Sequence, residues 1–313
     1  MTEAKGPTAE ERMASEETSA SDDAGTYEIC SQVPAGLEGK SVVMGIDEAG
    51  RGPVLGPMVY GCAYWSEEHD AELSKAGFDD SKALKEEQRD KLFQRIREHP
   101  QIGFAVRLIS ARELSQKMLR RVPYSLNGIS HAAAVGLVRG VQARGVTVSH
   151  VFVDTVGDPG AYEAMLSREF GPDVKFTVAK KADSLYKTVS AASICAKVTR
   201  DGILRRWEYR ERSFAGGTDY GSGYPGDARC KAWMEKHLDP VFGFPELCRF
   251  SWSTTKELLK EKGARVEWEE EEEDGKAAAA AGTARIDSFM RPAGKKPRAS
   301  YFRVARMEIV DAF

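Results

Sequence analysis

A short apolar run that ends in two acids and a glycine-rich turn constrains the fold of this chain most. Ser41-Val-Val-Met-Gly-Ile-Asp47 is rich in β-branched and apolar side chains, and Glu48 and the turn Ala49-Gly-Arg-Gly-Pro53 follow it. A second apolar run, Val54 to Trp65, begins directly after the turn. Two such runs joined by a turn that contains glycine predict a β-hairpin. We therefore expect a strand that ends at Asp47 and an antiparallel strand that starts at Val54.

Helical and strand patterns alternate after the hairpin. Amphipathic segments with helical periodicity predict helices, and short β-branched runs predict buried strands. This order favours an α/β fold, with a mixed sheet flanked by helices. We expect helices at 85–98, over most of 110–144 with a break near Pro123, at 162–170 and at 184–212, and strands at 102–109, 148–154 and 174–179.

Composition divides the chain into a folded centre and two polar ends. Residues 1–28 are rich in Glu, Ser, Thr and Ala, which predicts a disordered acidic tail. A folded α/β domain is expected over 40–215 and a smaller helical cap over 216–262. Residues 263–313 contain a run of acids at 267–274 and predict a solvated linker followed by a C-terminal tail.

Charge, hydropathy and cysteine content narrow the class of protein. The net charge is -3, but acids crowd the two ends and basic residues crowd the middle, so a surface that binds nucleic acid is compatible with it. The chain has no apolar run of the roughly 18–20 residues that a membrane span needs, and no signal-peptide pattern. The 5 cysteines are scattered and lack a Cys-x-x-Cys pair, which favours a reduced intracellular compartment.

Four acids lie where predicted strands end or helices begin. Asp47 and Glu48 close the first strand, Asp154 closes a later one, and Asp183 precedes the long helix. Ends of neighbouring strands converge in an α/β sheet, and carboxylates clustered there would bind hard cations such as Mg²⁺ or Mn²⁺. Two such ions can activate a water and stabilise the leaving oxygen of a phosphodiester. The simpler alternative stays open, because an Asp at such a position often caps a helix or a turn, as Asp183 could.

Adjacency of Asp47 and Glu48 raises a geometric question. Neighbouring side chains of a regular strand point to opposite faces. The glycine-rich turn after Glu48 offers a solution, because it can bend the chain back and bring both carboxylates to one site.

The segment around these two acids resembles a known family signature. Gly45-Ile-Asp-Glu-Ala-Gly-Arg-Gly-Pro-Val-Leu-Gly-Pro57 is similar to the signature of the type 2 ribonuclease H family, also called ribonuclease HII. The resemblance covers about residues 40–256 in order, and the segments 153–157 and 219–225 look like those of the eukaryotic catalytic subunit rather than the bacterial enzyme. It implies a ribonuclease H-like sheet with a C-terminal helical extension. The further matching segments are Asp80-Ser-Lys-Ala-Leu84, Val153-Asp-Thr-Val-Gly157, Lys181-Ala-Asp183, Ser190-Ala-Ala-Ser-Ile-Cys-Ala-Lys-Val198, Asp219-Tyr-Gly-Ser-Gly-Tyr-Pro225 and Phe242-Gly-Phe-Pro245.

The resemblance implies a catalytic role for the acids. It makes them the metal ligands of a two-ion site that takes Mg²⁺ or Mn²⁺, within a catalytic domain at 40–215. The implied enzyme is an endonuclease that cuts the RNA strand of RNA–DNA hybrids, and cuts duplex DNA on the 5′ side of single ribonucleotides. It leaves 3′-OH and 5′-phosphate ends, and it serves DNA replication and ribonucleotide removal. The implied ligands are Asp47, Glu48, Asp154 and Asp183.

The resemblance also implies how substrate is bound. Gly50-Arg51-Gly52 corresponds to a loop that senses ribose, since glycines let a backbone approach a sugar and hydrogen-bond its 2′-OH. Tyr224 corresponds to a tyrosine that contacts the 2′-OH and stacks on the next sugar. Lys82 corresponds to a phosphate contact. From the residues alone, Lys82 is an exposed, solvated lysine, and Tyr220 is the tyrosine expected to pack under a glycine-rich loop.

The long helix and the C-terminal tail point to partners. The tail segment Pro297–Arg306 is similar to the stretch with which the eukaryotic catalytic protein binds two accessory subunits in a heterotrimer, although packing on its own chain is an alternative. Ile286–Met290 resembles a degenerate sliding-clamp peptide without its leading Gln and second aromatic, and Lys295-Lys-Pro-Arg298 is compatible with nuclear import. The basic residues of the helix fit either a duplex-facing surface or an ordinary amphipathic surface: Lys187, Lys197, Arg200, Arg205 and Arg206.

Two rival functions remain at this point. One is another metal-dependent nuclease or strand-transfer enzyme on the same sheet, which would cut all-DNA duplex as readily as hybrid. The other is a non-catalytic assembly protein, which the loss of one carboxylate would have favoured.

Overall fold

A mixed β-sheet with helices on both faces forms the centre of the computed structural model. The structure describes residues 17–21, 26–37, 39–73, 85–211, 217 and 219–264, and these residues belong to one compact unit. The strands in this part of the chain are β1 (Glu17–Ser21), β2 (Thr26–Cys30), β3 (Ser41–Ala49), β4 (Met58–Ser66), β5 (Gly103–Ile109), β6 (Thr147–Asp154) and β7 (Lys175–Ala179).

The strand order is β1-β2-β5-β4-β3-β6-β7. The strands from β1 to β3 pair antiparallel, whereas β3 pairs parallel with β6 and β6 pairs parallel with β7. The sheet is therefore mixed, as the order of patterns predicts. Its parallel half carries the helical crossovers that parallel strands require.

Helices cover both faces of the sheet. One cluster of buried side chains packs the helices 126–143 and 159–170 against one face, and a second packs the helices 86–98 and 187–205 against the other. The helices are α1 (Asp70–Leu73), α2 (Glu86–Glu98), α3 (Ala111–Met118), α4 (Leu126–Ala143), α5 (Pro159–Phe170), α6 (Ala182–Leu185), α7 (Lys187–Arg205), α8 (Ala228–Lys236) and α9 (Ser253–Lys262).

Two glycines let α7 lie unusually close to the sheet. A Cβ atom on Gly45 of β3 would lie 2.1 Å from the backbone of Thr188, and one on Gly61 of β4 would lie 2.6 Å from the carbonyl oxygen of Ala192. Because both glycines lack that atom, the first turns of α7 cross β3 and β4 in direct backbone contact. The small residues in the middle of α7 fill the space that remains.

A third buried cluster joins the C-terminal helices to the segment after β3. Val54 and Leu55 pack with Trp233 of α8 and with Leu247. The backbone is paired as well, since the Val54 N–H donates to the Gly223 carbonyl at 2.9 Å and the Gly56 N–H donates to that of Leu247 at 2.8 Å. The region expected to be a helical cap is thus built directly on the chain that follows the two acids.

The structure corrects several predicted boundaries. Strands lie at 17–21 and 26–30, within and beyond the predicted disordered tail of residues 1–28. The alternation in Thr26-Tyr-Glu-Ile-Cys30 carries the strand signal that the tail's overall composition conceals. β4 starts at Met58 rather than Val54, because Val54 and Leu55 bond to loop segments instead. The predicted helix 184–212 is interrupted by extended Tyr186 and ends at Arg205.

Two expectations about the chain's environment can be compared with the structure. In the part that the structure describes, no helix is both long and apolar enough to cross a membrane. All cysteines are free thiols, as expected for a chain without a disulfide frame: Cys30, Cys62, Cys195, Cys230 and Cys248.

Candidate active site

The predicted acidic residues lie at one edge of the sheet, where the parallel strands end. Ile46 of β3 pairs with Val153 of β6, so Asp47 and Asp154 are at neighbouring positions on adjacent strands. Asp154 pairs in turn with Ala179, the last residue of β7. Because these three strands run in the same direction, their carboxyl ends form one edge, where binding sites of α/β sheets are found.

Asp183 reaches this edge from the short helix α6. Its side chain is buried, and its carboxylate accepts a hydrogen bond from the Ser184 N–H at 3.1 Å. The neighbouring Ala182 N–H donates to the carboxylate of Asp154 at 2.9 Å. The first turn of α6 therefore fastens the end of β6 next to Asp183.

A strained residue places α6 in this position. Lys181 has φ 57° and ψ 41°, and no other non-glycine residue in the described ranges has a positive φ. The left-handed conformation costs an L-residue roughly 1–2 kcal/mol, and strain of this kind is concentrated at functional sites. Lys181 is also the residue that precedes α6, and Tyr186 precedes α7. The simple alternative, in which Asp183 serves as a helix cap, is therefore wrong.

Asp47 is the most deeply buried of the acids on the strands. It faces α7, where Ser193 hydrogen-bonds to it, and it accepts a hydrogen bond from the Glu48 N–H at 2.7 Å. Burial raises the pKa of Asp47 well above its usual range, and the nearby charges of Glu48 and Asp154 raise it further. These carboxylates repel one another in a site of low polarity, and a proton or a cation would relieve that repulsion.

Glu48 lies on the other face of β3. The strand stays regular and pairs through Ala49 with Val59, so it does not end at Asp47 as predicted, and no bend brings the two side chains together. Burial raises the pKa of the Tyr60 phenol, and the charge of Glu48 raises it further. Glu48 thus points toward the face that carries Tyr60, while still lying close enough to Asp47 to perturb it.

The donor set suits a hard divalent cation, although it is not gathered around a single point. All four predicted ligands offer carboxylate oxygens, the ligands that Mg²⁺ and Mn²⁺ prefer. Within the described ranges, no three His, Cys, Asp or Glu side chains form a group already able to hold a metal ion. The raised pKa of Asp47 fits a cation-dependent site, and at least one side chain would have to rotate to complete it.

The loop Gly50–Gly52, termed the GRG loop, lies beside these acids. Gly50 has φ 78°, a conformation that favours glycine, and a Cβ atom there would lie 2.1 Å from Nε of Arg200. The guanidinium of Arg51 hydrogen-bonds to Asn127 and Ser130 at the start of α4. The loop is thus held between α7 on one side and α4 on the other.

Tyr224 lies against the GRG loop. A Cβ atom on Gly52 would lie 3.0 Å from a ring carbon of Tyr224, and 48% of the tyrosine is exposed. Tyr220 is buried, and its hydroxyl donates to the Leu204 carbonyl at 2.6 Å, so the structural role expected for it is confirmed. Lys82 lies outside the described residues.

Comparison with known proteins identifies the family to which this chain belongs. The family model described as Ribonuclease HII matches residues 44–255. A ribonuclease H2 protein of Homo sapiens, named as one of that enzyme's subunits, is 43% identical over 282 residues, which are 90% of this chain and 93% of that protein. The chain belongs to the ribonuclease HII family. As a ribonuclease H, it cleaves the RNA strand of RNA–DNA hybrids.

Solved structures of the family share the fold. The ribonuclease H2 of Pyrococcus horikoshii OT3 is similar with a TM-score of 0.58 and 30% identity, covering 70% of this chain and 98% of that one. The ribonuclease HII in the complex with PCNA from Archaeoglobus fulgidus has a TM-score of 0.58 and 28% identity, covering 69% and 96%. The predicted ribonuclease H-like mixed sheet is confirmed.

Sequence patterns do not reveal several residues that support this ribonuclease H site. Arg200 is predicted as part of a basic helix surface, but it is buried and hydrogen-bonds to the Leu55 and Pro57 carbonyls. Arg249 is completely buried beneath the GRG loop, and Trp252 contacts the same loop. The one available signal is an arginine between Cys248 and Phe250 in an otherwise apolar stretch, which does not reveal its partners.

Proposed function

We propose that this ribonuclease H is an endonuclease that cuts RNA–DNA hybrids and also cuts 5′ of single ribonucleotides in duplex DNA, leaving 3′-OH and 5′-phosphate ends. One observation carries the proposal. Asp47 and Glu48 lie in β3, which runs directly into the GRG loop, Asp154 ends the adjacent β6, and Tyr224 packs against the same loop. A cleavage site beside a surface that can test for a 2′-OH suits a substrate with even one ribose.

The carboxylates would hold two divalent cations, Mg²⁺ or Mn²⁺. Asp47 and Asp154 come from adjacent strand ends, Glu48 from the opposite face of β3, and Asp183 from α6. When bound, such ions supply an activated water and stabilise the leaving oxygen of a phosphodiester. The protein's part is to orient the ligands: Ser193 and the Glu48 N–H fix Asp47, and the Ala182 N–H fixes Asp154.

The GRG loop and Tyr224 would reject an all-DNA strand. Glycines at 50 and 52 let the sugar approach the backbone, which can hydrogen-bond a 2′-OH. The Tyr224 ring packs at Gly52 and the residue is half-exposed; its ring would stack on a sugar and its hydroxyl would bond to it. Lys82 would contact a phosphate of the same duplex.

The protein would work in the nucleus within a heterotrimer that includes two accessory subunits. The human relative is named as one subunit of ribonuclease H2, which supports a multi-subunit assembly. Residues 297–306 would bind the accessory subunits, after the linker that begins at 263. The archaeal relative was solved in a complex with PCNA, and residues 286–290 would provide a weak clamp contact here. Its work would be DNA replication and ribonucleotide removal.

The decisive experiment is cleavage of a duplex with one embedded ribonucleotide, with and without Mg²⁺. Asp154→Asn can still accept the Ala182 N–H, so the variant should fold and bind hybrid, yet lose about 100-fold or more in cleavage rate. Asp158→Asn is the matched control, because either side chain can cap α5 and the residue is exposed. Full activity of Asp154→Asn, or cleavage that does not need a divalent cation, would contradict the proposed site.

A second series tests the ribose contact. Tyr224→Phe keeps the ring against Gly52 but removes the hydroxyl, and should lower cleavage at a single ribonucleotide by about tenfold. Tyr224→Ala removes both and should lose more. Tyr209→Phe is the control, since it removes a hydroxyl that bonds to Gly217 instead. Cleavage of all-DNA duplex at the rate of the hybrid would favour a general metal-dependent nuclease.

A further inference from the structure

Arg249 is a completely buried cation whose partners are backbone carbonyls of the GRG loop and its continuation. Its Nη1 donates to the Arg51 carbonyl at 3.0 Å, its Nη2 to that of Gly50, and its Nε to that of Gly56 at 2.8 Å. No carboxylate in the described ranges forms an ion pair with it. A buried guanidinium without a carboxylate partner must be compensated by such dipoles, so the loop and the cation fix each other.

Trp252 continues the same set of contacts. Its indole Nε1 donates to the Gly52 carbonyl at 3.0 Å, and the Arg249 guanidinium lies over its ring at 4.7 Å. The Trp252 N–H bonds to the Arg249 carbonyl at 3.2 Å, and so does the hydroxyl of Thr255, at 3.0 Å. A single turn before α9 therefore holds three consecutive carbonyls of the GRG loop.

These contacts determine the direction in which the backbone N–H groups of the GRG loop point. In a trans peptide the carbonyl oxygen and the N–H of the next residue lie on opposite sides of one plane, and the described residues contain no cis peptide. With the carbonyls of Gly50 and Arg51 directed at Arg249, the N–H groups of Arg51 and Gly52 point away from it. Those two donors are then presented on the side of the loop that faces away from the interior.

We propose that Arg249 and Trp252 are the positioning residues that set ribose specificity, by holding the GRG loop so that its N–H groups meet the 2′-oxygen of a ribonucleotide. This inference rests on the proposed function of the loop. It assigns the discrimination between RNA and DNA to a turn of the C-terminal extension, about 200 residues from the loop. Neither residue touches substrate; each acts through the loop backbone.

The test measures binding rather than cleavage, in an Asp154→Asn protein. Two duplexes are compared at a fixed Mg²⁺ concentration, one with a single ribonucleotide and one all-DNA, and the ratio of their Kd values is the ribose preference. Trp252→Phe keeps an aromatic ring under Arg249 but removes the donor to Gly52. It should lower the ribose preference about five- to tenfold and leave the affinity for all-DNA duplex unchanged.

A matched control separates this role from general destabilisation. Trp233→Phe removes an indole N–H that donates to the Gly217 carbonyl at 3.2 Å, within the same C-terminal cluster but away from the loop. It should leave the ribose preference unchanged. Arg249→Lys keeps a cation but loses the fork that spans the Gly50 and Arg51 carbonyls, and should lower the preference at least as much as Trp252→Phe.

Different failures have different meanings. If the parent Asp154→Asn protein binds both duplexes equally, the proposal that the GRG loop senses ribose is itself wrong. If the parent prefers the ribonucleotide and Trp252→Phe retains that preference, the positioning role is overturned, but the ribose-sensing role of the GRG loop is not. Equal losses of affinity for both duplexes, or the same loss of preference in Trp233→Phe, would also overturn it. Should Arg249→Lys fail to fold, Trp252→Phe decides alone, because Trp252 is partly exposed and its replacement retains the ring.

Discussion

The protonation of a single residue, Asp47, links stability to pH. Burial first, and then the charges of Glu48 and Asp154, raise its pKa in the folded protein. Without a cation, the folded state therefore binds a proton at this carboxylate more tightly than the unfolded chain does. The resulting stabilisation is present below the unfolded pKa of about 3.9 and is lost as the pH rises through the higher folded-state pKa.

Replacing Asp47 should therefore stabilise the folded protein even though it destroys activity. In chelator at pH 8, we expect Asp47→Asn to have a higher Tm than the wild type, and the difference should shrink as the pH falls toward 4. Cleavage should fall by about 100-fold or more. Thermal unfolding from pH 4 to 8, with and without Mg²⁺, measures this, and Mg²⁺ should raise the Tm of the wild type more than that of the variant. A wild type that is the more stable protein at pH 8 in chelator would refute the argument.

The positions and contacts of some site residues can be predicted from the sequence, whereas those of others cannot. Asp47 and Asp154 follow recognisable apolar runs near the carboxyl ends of β3 and β6, so their placement at one edge follows from local pattern. Arg249 bonds to carbonyls about 200 positions away, and no periodicity records a contact of that span. The prediction for Arg200 was wrong because charge suggests an exposed face, whereas its position on α7 directs it beneath Gly50.

Among the described elements, the close crossing of α7 over β3 should be the packing most sensitive to substitution. Gly45→Ala would put a methyl group 2.1 Å from the backbone of Thr188, so α7 would have to move away from β3. We expect a loss of about 1–3 kcal/mol in unfolding free energy, together with slower cleavage, because Ser193 of α7 would move away from Asp47. Urea denaturation and a cleavage assay measure the two effects.

Gly140→Ala provides the matched control. Gly140 lies within α4, and a Cβ there would meet only one side-chain oxygen of Glu28, at 3.9 Å. Alanine should stabilise this helix by roughly 0.5–1 kcal/mol and leave cleavage unchanged. If Gly45→Ala were as stable and as active as Gly140→Ala, the result would contradict the close approach of α7 to β3.

The sequence predicts an element where its periodic pattern is long, but not where a few residues determine the backbone conformation. The runs that form β5, β6 and β7 are apolar and β-branched, and their boundaries are predicted to within one residue. The break at Tyr186 escapes prediction because it depends on the left-handed turn at Lys181, which places α6 ahead of α7. A lysine carries no sequence signal for that conformation.

In the molecule as a whole, β2 covers β5 on the side of the sheet away from the carboxylates. Its Glu28 forms an ion pair with Arg107 of β5 at 2.9 Å, and just beyond it the Ser31 hydroxyl accepts a hydrogen bond from the Phe104 N–H at 3.0 Å. Tyr27 and Ile29 line a cavity of about 350 Å³ together with Phe104 and residues of α2 and α7. Removing β2 would leave the edge of β5 unpaired and expose the remaining apolar side chains that line this cavity.

Two truncations test how much of the N-terminal region belongs to the fold. A protein that starts at Thr26 loses β1, whose side chains are small or polar and which pairs with β2 alone among the described strands, and it should keep its Tm and its cleavage rate. A protein that starts at Gln32 also loses β2, and should be destabilised by about 2–4 kcal/mol, mainly from the loss of Tyr27 and Ile29. Its residual cleavage at low temperature should stay close to that of the wild type, because β5 and β4 lie between β2 and the strand that carries Asp47. If the first truncation already costs that stability, the residues before β2 contribute to the fold; if the second costs none, β2 does not.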